Sequence, residues 1–589
     1  MRFNPFQPFF PYLRPYRRAV IAGVVLLLLI QAITSTLPLA LKWAVDTAHA
    51  AFENRPNPTY TGDVRGDIAL FAGILAGLAF VRWLMSIAMR YYLSAASRYV
   101  ERDLRATYVR HLLALSLEFF EKRRVGDLMA RATNDVEAVQ RFLHHAFRMT
   151  LTAVIVLVLS LAFMCAIDWK LAIISLLPMP IMAVVINVLA VRIRRGYTRV
   201  QEQFADMTTL IQENLTGMRV NKGFGREARQ IEHFSELNEN YVQRNRHLIN
   251  LGSFFFPFAF LMNGLSLALL LWLGGLRVID GSLSLGSFVA FNAYLIQMGG
   301  PLRLLGRLVD EFQRASASLA RIEAVLGEPT ETRDDDDNLT LRGDLEFRCA
   351  SYAYDDAEPV LDDISIKVPA GGTLGIVGRV GSGKSTLARL VPQLIRPGAD
   401  QLFIDGMPVE QIPVKTLRRS IGYVPQDTFL FSQTLRENIA LGGDDVDDGD
   451  VDVAAEIAHL TPDLEDFPDG LETIVGERGV TLSGGQKQRA AIARAVVGKP
   501  PILILDDALA SVDTHTEDQI LRRMREVIDS CTTIIIAHRV STVRRADHII
   551  LLDGGRVAEQ GSHDELVARD GIYAELCRQQ ELAQEIEEL

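Results

Sequence analysis

The chain has 589 residues, a net charge of −11 at pH 7 and a mean hydropathy of +0.15. This length predicts at least two domains, and the acidic balance gives no basic face for a nucleic-acid partner, so no nucleic acid is expected. The four cysteines lie far apart, with no histidine at metal-ligand spacing, which argues against a disulfide framework or a zinc site.

The first 18 residues are rich in aromatic residues, proline and arginine, and they precede a long uncharged run, Ala19–Leu41. A signal peptide has a shorter apolar region and a cleavage site of the A-x-A type, which this run lacks. Aromatic and arginine side chains are typical of the headgroup level of a membrane. We therefore predict an interfacial helix over residues 1–18 that leads into a retained membrane span.

Six uncharged runs predict an all-α transmembrane domain over residues 19–326. Nearly all are long enough for about 30 Å of hydrocarbon at about 1.5 Å per residue, although Arg82 interrupts the second. A buried core helix is the alternative for any one run, but six such runs leave no polar shell for a soluble domain. The predicted spans cover residues 19–42, 68–90, 149–167, 171–191, 248–276 and 281–302.

The basic residues near the span ends predict the orientation, because arginine and lysine accumulate on the cytosolic side of a membrane. The opposite connections are the mixed segment Glu53–Asp67, the tight Asp168–Lys170 and Arg277–Asp280. Both termini are therefore predicted to be cytosolic, with the protein in the cell inner (cytoplasmic) membrane. The residues on the cytosolic side are Arg14, Arg17, Arg18, Arg82, Arg90, Arg98, Arg141, Arg148, Arg192, Arg194 and Arg195.

Two cytosolic connections of about 55 to 60 residues are typical of helix throughout and extend the spans beyond the membrane. Each bends at a polar turn, at residues 123–127 in the first and 216–219 in the second. They are either solvated hairpins or levers that bring force to the spans. After the sixth span, a charged helix leads to a linker at residues 327–337, whose four consecutive aspartates predict a flexible boundary.

Residues 378–386 fit the pattern G-x-x-x-x-G-K-[ST] between a predicted strand, Leu374–Val377, and a predicted helix. In that context the glycines let backbone N–H groups point at phosphates, and the helix N-terminus adds its dipole. Lys384 then reaches the β- and γ-phosphates, and the Ser385 hydroxyl suits Mg²⁺. The alternative is a glycine-rich turn before an ordinary helix. The predicted nucleotide-binding residues are Gly378, Arg379, Val380, Gly381, Ser382, Gly383, Lys384, Ser385 and Thr386.

From residue 338 to residue 589, short apolar strands alternate with helices, which predicts an α/β P-loop domain. One strand ends in Asp506 and Asp507, and Asp506 occupies the place of a Mg²⁺ anchor. Another, Ile534–Ile536, is followed by His538. An isolated histidine after a strand is more often structural, but this one shares the strand-end edge with the phosphate loop.

A second glycine-rich turn, Ser483–Gln486, opens another helix and provides a second anion-binding end. One phosphate loop already holds one triphosphate within a subunit. A second phosphate-binding helix end therefore favours a composite site between subunits.

Together these motifs closely resemble the ATP-binding cassette (ABC) transporter family over nearly the whole chain. Six spans followed by one cassette resemble a type IV, exporter-type half-transporter, and a complete transporter of that type needs two halves. The resemblance implies that Tyr354 stacks on adenine, that Gln426 touches Mg²⁺ and that His538 contacts the γ-phosphate. It also implies a signature motif that closes on ATP held by the facing subunit, made of Leu482, Ser483, Gly484, Gly485 and Gln486.

The same resemblance assigns the cytosolic connections. They match coupling helices around Gly126–Asn134 and Leu215–Arg226, which favours the force-transmitting interpretation. Residues 476–479 resemble an exporter-specific loop that contacts those helices. Ser511–Asp513 is similar to the loop that follows the Mg²⁺ strand.

Asp507 departs from the family pattern, in which a glutamate follows the Mg²⁺ aspartate as general base. Aspartate is shorter by one C–C bond, about 1.5 Å, and a general base must lie within about 2.6–3.2 Å of the proton that it takes. The signature residues are intact. The resemblance to heterodimers with one degenerate ATP site favours a heterodimer, and a homodimer with a slow aspartate base is the alternative.

The expected function is ATP-driven export of amphipathic or apolar substrates, of the multidrug type, by alternating access. A lipid flippase is an alternative within transport, and an ATP-gated channel or regulator is an alternative of another class. The expected cofactors are ATP and Mg²⁺. The expected partners are a second half-transporter, the lipid bilayer and a small amphipathic substrate. The expected catalytic residues are Asp507, His538 and Gln426, and the expected metal ligands are Ser385, Gln426 and Asp506.

Overall fold

The computed structural model describes residues 9–53, 64–331, 339–354, 358–465, 467–476 and 482–587. The chain divides into two compact units. The first comprises Met1–Leu113 and Val125–Glu328, and the second comprises Ala114–Arg124 and Pro329–Leu589. The acidic run of the predicted linker and residues 477–479 of the predicted exporter-specific loop lie outside the described residues.

The first unit is built from long helices, as its uncharged runs predict. Short π-helical turns at Arg131–Asp135, Phe142–Ala146 and Leu270–Gly274 join consecutive helices. The short helix α4 (Leu117–Glu121) belongs to the second unit. The helices of the first unit are α1 (Phe10–Leu13), α2 (Arg17–Phe52), α3 (Val64–Leu112), α5 (Val125–Ala130), α6 (Val136–Arg141), α7 (Phe147–Leu176), α8 (Pro178–Thr216), α9 (Met218–Gly223), α10 (Glu227–Ser253), α11 (Phe255–Leu269), α12 (Gly275–Ile279) and α13 (Leu285–Leu326).

Within the described residues, four continuous helical stretches are long and apolar enough to cross a membrane. They are Phe10–Phe52, Arg65–Leu112, Val125–Leu176 and Glu227–Ile279. The runs predicted as the fourth and sixth spans fall at the junction of α7 with α8 and within α13. The count of six spans stays a prediction.

The backbone breaks at Asp168, inside the stretch labelled α7. Asp168 has extended angles, φ −159° and ψ 104°, and its carboxylate accepts a hydrogen bond from the Leu171 N–H at 3.0 Å. This arrangement caps the helix that follows, because the first N–H groups of a helix have no partner within it. The chain therefore turns within the tight connection that the sequence predicted, and Pro178 begins α8 about two helical turns later.

Apolar side chains from several helices form the core of the first unit. The largest described cluster includes Met164, Leu171, Leu270 and Phe291, all almost fully buried. Tyr294 lies in the same cluster, and its hydroxyl donates to the Ser35 carbonyl at 2.7 Å, so α13 is fastened to α2.

The first coupling-helix position predicted from the sequence is wrong. Residues 125–135 belong to α5 and the π-helical turn that follows, within the transmembrane unit. The short helix that joins the second unit is α4, between turns at residues 113–115 and 122–124. The polar residues at 123–127 mark only the second of these two turns, which shifted the prediction towards the C-terminus. In the second connection, the short helix α9 lies within the predicted Leu215–Arg226.

The second unit combines two sheets with helices. Its strands are β1 (Leu345–Tyr352), β2 (Leu361–Val368), β3 (Thr373–Gly378), β4 (Leu402–Ile404), β5 (Met407–Pro408), β6 (Ile421–Val424), β7 (Ile502–Asp506), β8 (Thr532–Ile536), β9 (His548–Asp553) and β10 (Arg556–Gly561). Its helices after α4 are α14 (Lys384–Leu390), α15 (Val414–Arg419), α16 (Leu435–Ala440), α17 (Asp448–Ile457), α18 (Thr461–Leu464), α19 (Gly484–Val497), α20 (Thr514–Arg523), α21 (Arg525–Ser530), α22 (Val540–Val543), α23 (His563–Ala568) and α24 (Ile572–Glu587).

The larger sheet positions the candidate site. Its strand order is β10-β9-β3-β8-β7-β6, and every neighbouring pair except β10 with β9 is parallel. The smaller sheet, β2-β1-β4-β5, is antiparallel. Because β3, β8 and β7 are parallel neighbours, their carboxyl ends meet at one edge of the sheet. The segments that follow these three strands carry the phosphate loop, His538 and Asp507.

Candidate nucleotide-binding site

The register of the sheet brings three predicted site segments together. Ile536 on β8 pairs with Ile376 on β3 and with Asp506 on β7, so these positions lie side by side near the strand ends. The phosphate loop follows β3, and Asp507 and His538 follow the other two strands within two residues. The sequence predicted this shared edge, and the strand pairing is the physical reason for it.

The phosphate loop begins with a glycine that no other residue replaces without strain. Gly378 has φ +151°, and an added Cβ would lie 2.3 Å from the Leu552 carbonyl oxygen. At the other end, Gly383 has φ +97° and precedes α14, whose N-terminus no side chain caps. The first backbone N–H groups of α14 therefore remain available to an anion.

Lys384 is folded back onto the loop. Its side chain is 5% exposed, and Nζ donates to the carbonyl oxygens of Gly378 at 2.8 Å and Arg379 at 2.9 Å. Burial lowers the pKa of Lys384, and the carboxylates of Asp507 and Asp506 oppose that shift. The Ser382 hydroxyl is buried and has no hydrogen-bond partner among the described residues. An unpaired donor and a buried ammonium in one loop fit an anionic ligand.

Asp506 and Ser385 form the second part of the site. Ser385 Oγ donates to Asp506 Oδ1 at 2.9 Å, and Asp506 is 2% exposed. Burial raises the pKa of the Asp506 carboxyl, against the hydrogen bond from Ser385. A carboxylate and a hydroxyl next to a phosphate cradle are oxygen ligands of the kind that Mg²⁺ takes, together with phosphate oxygens and water. No cluster of three or more acidic, histidine or cysteine ligands occurs among the described residues, so a dedicated all-protein metal cage is absent there.

Asp507 is placed differently from its neighbour. Its backbone is left-handed, with φ +51°, and its N–H donates to the Ile536 carbonyl at 3.0 Å. Aspartate is one of the few residues other than glycine that adopts this conformation readily. The half-buried Asp507 and the exposed His538 line one cavity of about 170 Å³ together with Ala508 and Leu509.

The signature turn is a closed helix cap. The Ser483 hydroxyl accepts from the Gln486 N–H at 3.2 Å, and Gln486 Oε1 accepts from the Ser483 N–H at 2.9 Å. Gly484 and Gly485 begin α19. Further along this helix, Gln488 Oε1 accepts a hydrogen bond from the Ser511 N–H at 2.9 Å, in the loop that follows β7. Among the described hydrogen bonds and ion pairs, none joins this turn to the phosphate loop of the same chain.

The two remaining predicted site residues occupy the rim. Tyr354 is half-buried, and its hydroxyl lies 3.3 Å from Thr386 Oγ1, next to the phosphate loop. Gln426 is exposed in the loop that follows β6. No hydrogen bond is described from Gln426 to Ser385 or Asp506, so the structure does not join this residue to the predicted metal ligands.

Comparisons with known proteins agree with this architecture. Residues 20–302 match the family model for the ABC transporter transmembrane region, and residues 361–510 match the ABC transporter model. A probable multidrug resistance ABC transporter ATP-binding/permease protein of Bacillus subtilis (strain 168), YheI, is 37% identical over 571 residues, which is 95% of each chain. The chain belongs to the ABC transporter family.

Two further similarities place it among the exporters of that family. An ATP-dependent lipid A-core flippase of Syntrophus aciditrophicus (strain SB) is 32% identical over 98% of this chain and 94% of its own. The solved structure of a bacterial Atm1-family ABC exporter with ATP bound has a TM-score of 0.76 and 30% identity over 96% of this chain and 98% of its own. The chain is an exporter half-transporter with one transmembrane domain and one ATP-binding domain.

The site of this ABC protein includes residues that sequence reasoning missed. Tyr423 is half-buried near Asp506 and Arg389; burial raises its pKa to about 12, and the Arg389 charge opposes that shift. Glu517 is 3% exposed and accepts hydrogen bonds from Arg539, at 2.7 Å, and from Thr542. The sequence contained one signal for this contact: Arg539 directly follows His538, a predicted site residue.

The short helix α4 is connected to the rest of the ATP-binding domain by an ion pair. Glu121 pairs with Arg389 at 3.3 Å, and Arg389 lies near Tyr423. The Glu331 N–H donates to the Ala114 carbonyl at 2.9 Å, and the Glu331 carboxylate accepts two bonds from Arg418. Arg389 is therefore paired with α4 on one side and lies near Tyr423, which is close to the predicted Mg²⁺ aspartate, on the other.

Proposed function

We propose that this chain is one half of a heterodimeric ABC exporter, multi-pass in the cytoplasmic membrane with both termini cytosolic, that uses ATP to move amphipathic or apolar substrates outward. The observation that carries the heterodimer is the pairing of an intact signature turn with Asp507 after the buried Asp506. In this proposal the chain's own ATP site hydrolyses slowly, and its signature turn completes a faster site on the partner.

ATP binding is assigned to the cluster at the sheet edge. The phosphate loop receives the phosphates on its free N–H groups, Lys384 turns from its two carbonyl partners to the β- and γ-phosphates, and Tyr354 stacks on adenine. Ser385 and Asp506 would hold Mg²⁺, with Gln426 moving in from the rim. Bound Mg²⁺ supplies positive charge that offsets the charge on the phosphate oxygens.

Slow hydrolysis follows from the reach of Asp507. The carboxylate must approach the attacking water to about 2.6–3.2 Å, and it is about 1.5 Å shorter than the family's glutamate. His538 contacts the γ-phosphate from the neighbouring strand end. Each loss of about 1.4 kcal/mol in transition-state stabilisation lowers the rate tenfold, so a misplaced base alone accounts for a slow site.

The ion pair between Arg389 and Glu121 supports a mechanical role for the first cytosolic connection. Arg389 pairs with Glu121 on α4 and lies near Tyr423 and Asp506, so a change of charge at the nucleotide site would act on α4 through Arg389. We assign α4 as the first coupling helix and α9 as the second. Closure of two ATP-bound domains would then be transmitted to the spans.

A lipid flippase is the second candidate, and its support is the similarity to the lipid A-core flippase of Syntrophus aciditrophicus. Membrane lipid and amphipathic drugs share the same chemistry, a polar head on an apolar body. Reconstituted vesicles separate the two functions. Uphill accumulation of a fluorescent amphipathic dye supports the exporter, whereas ATP-dependent transfer of labelled lipid between leaflets without dye transport supports the flippase.

The heterodimer is tested by purifying the full chain alone and with the product of a neighbouring gene. We expect weak ATPase activity from the chain alone and strong activity from the pair, with little effect of Asp507→Asn on the pair. Robust activity of the isolated chain that Asp507→Asn abolishes would establish the homodimer with an aspartate base instead. Robust activity of the isolated chain that Asp507→Asn leaves unchanged would contradict both.

A further inference from the structure

The turn that carries His538 is held by a side chain from the C-terminal helix. Gln580 on α24 accepts a hydrogen bond from the Val540 N–H at 2.7 Å and donates one to the His538 carbonyl at 2.7 Å. One amide group therefore satisfies a backbone donor and a backbone acceptor on either side of Arg539. Both distances are short for N–H···O bonds, within the ordinary range.

These two bonds hold the backbone of the turn, whereas Glu517 holds the side chains of Arg539 and Thr542. Val540 begins α22, a helix of four residues, and Arg539 at its N-cap contributes no side-chain cap. The Val540 N–H has no partner within the helix, so Gln580 provides it. The His538 ring is exposed and makes no hydrogen bond among the described residues, so its direction depends on the backbone that carries it.

Gln580 lies on a helix whose start is fastened to the rest of the domain. The Glu559 carboxylate accepts from the N–H groups of Ile572, at 2.7 Å, and Tyr573, at 3.1 Å, and so caps the start of α24. Tyr573 is fully buried, and Ala574 is nearly so. The first turn of α24 is thereby fastened to β10, and Gln580 lies two turns further along the same helix.

The same helix faces the phosphate loop. Leu576 and Glu575 of α24 line a cavity of about 300 Å³ together with residues 378–380 of the loop and His538. The start of the phosphate loop and the His538 side chain therefore share a space that α24 bounds. A shift of α24 changes this space and the His538 turn together.

We propose that Gln580 is a positioning residue for the γ-phosphate contact, which makes α24 part of the ATP-sensing apparatus. The inference rests on the proposed function, in which ATP occupies the phosphate loop and His538 touches its γ-phosphate. In this proposal Gln580 acts through the backbone of the turn and does not touch ATP. It holds the His538 turn in the geometry that meets the phosphate, so that less order has to be created when ATP binds.

The test uses the full-length chain in lipid nanodiscs, with its second subunit where one co-purifies. A radiolabelled photoreactive ADP analogue is bound with and without beryllium fluoride, which mimics the γ-phosphate, and is cross-linked to this chain. We expect Gln580→Ala to lower retention of the ADP–beryllium fluoride complex about tenfold and to leave ADP affinity within about twofold. Gln580→Glu, which keeps the acceptor but loses the donor, should lower retention as well.

Two comparisons separate positioning from general stability. Arg578→Ala on the same helix removes an exposed ion pair with Asp570 and should leave retention unchanged. In a His538→Ala background, Gln580→Ala should have no further effect, because the residue acts through His538. Normal retention in Gln580→Ala, or additive losses in the double variant, would overturn the inference. Unchanged retention in His538→Ala alone would instead contradict the proposed role of His538, a failure that is distinct from the other two.

Discussion

The two glycine-rich turns of the ATP-binding domain each precede a helix, but their backbone donors are in different states. The phosphate loop leaves the N-terminus of α14 without a side-chain cap, and its lysine is bonded only to loop carbonyls. The signature turn is closed by the reciprocal bonds of Ser483 and Gln486. One turn is open to an anion, and the other satisfies its own donors.

Under the proposed function, this difference indicates how each turn would bind ATP. An open helix N-terminus binds phosphate without first giving up other bonds, whereas a capped one has to give up contacts worth about 1 kcal/mol. The capped turn is also stable when no ligand is near. That property suits a surface that contacts only nucleotide held by another subunit.

The largest effect is expected from the open turn. Lys384→Ala removes the buried ammonium that reaches the phosphates, so nucleotide affinity at this chain should fall about 100-fold, the equivalent of about 2.7 kcal/mol. Photo-crosslinking of labelled ATP to this chain measures the change. Lys499→Ala, which removes an exposed lysine paired with Asp450, is the control and should bind normally. Equal binding by the two variants would exclude the phosphate loop as the anion site.

Restoring the longer carboxylate should speed hydrolysis at the same site. Asp507→Glu extends the base by about 1.5 Å and should raise the weak ATP turnover of the full chain purified alone about tenfold. The backbone there is left-handed, which glutamate adopts less readily than aspartate. Asp570→Glu is the matched control for that backbone cost, since Asp570 also has φ +51° and lies outside the site. Unchanged or lower turnover in Asp507→Glu would show that length does not limit the base.

The capped turn should matter for activity more than for folding. Ser483→Ala should cost about 1 kcal/mol of unfolding free energy and lower ATP turnover of the assembled transporter several-fold, since it also removes a phosphate donor. Ser562→Ala breaks the equivalent reciprocal cap of α23 with Glu565 and should show the stability loss alone. Thermal unfolding and ATPase assays on both variants decide the point. Equal losses of ATPase activity in the two variants would show that Ser483 acts only as a helix cap.

The smallest effect is expected at α4. Glu121→Gln weakens a partly exposed ion pair, an interaction usually worth less than about 1 kcal/mol. We expect substrate-stimulated ATPase activity to fall about twofold, with ATP affinity unchanged. Glu118→Gln removes a pair with Lys122 on the same helix and should have no effect. Loss of ATP affinity in Glu121→Gln would place Arg389 in nucleotide binding rather than in transmission.

The phosphate loop, the strand ends and the signature turn were predictable because each depends on neighbouring residues. A helix cap spans three or four positions, and a strand that ends in carboxylates is recognisable as a run of apolar residues followed by acidic ones. The placement of α4 was not predictable in the same way. Its two turns flank five helical residues, and membership in the ATP-binding unit is decided by partners such as Arg389, 268 positions away.

By itself the sequence determined the family, the helical and α/β halves and the residues at the sheet edge, because these follow from hydrophobic pattern and short motifs. Only the tertiary structure decided which groups surround those residues. Tyr423 lies near Asp506 because β6 lies beside β7 in the sheet. Gln580 reaches His538 across 42 positions because α24 packs near the end of β8. Such contacts depend on strand order and helix docking, which no local pattern encodes.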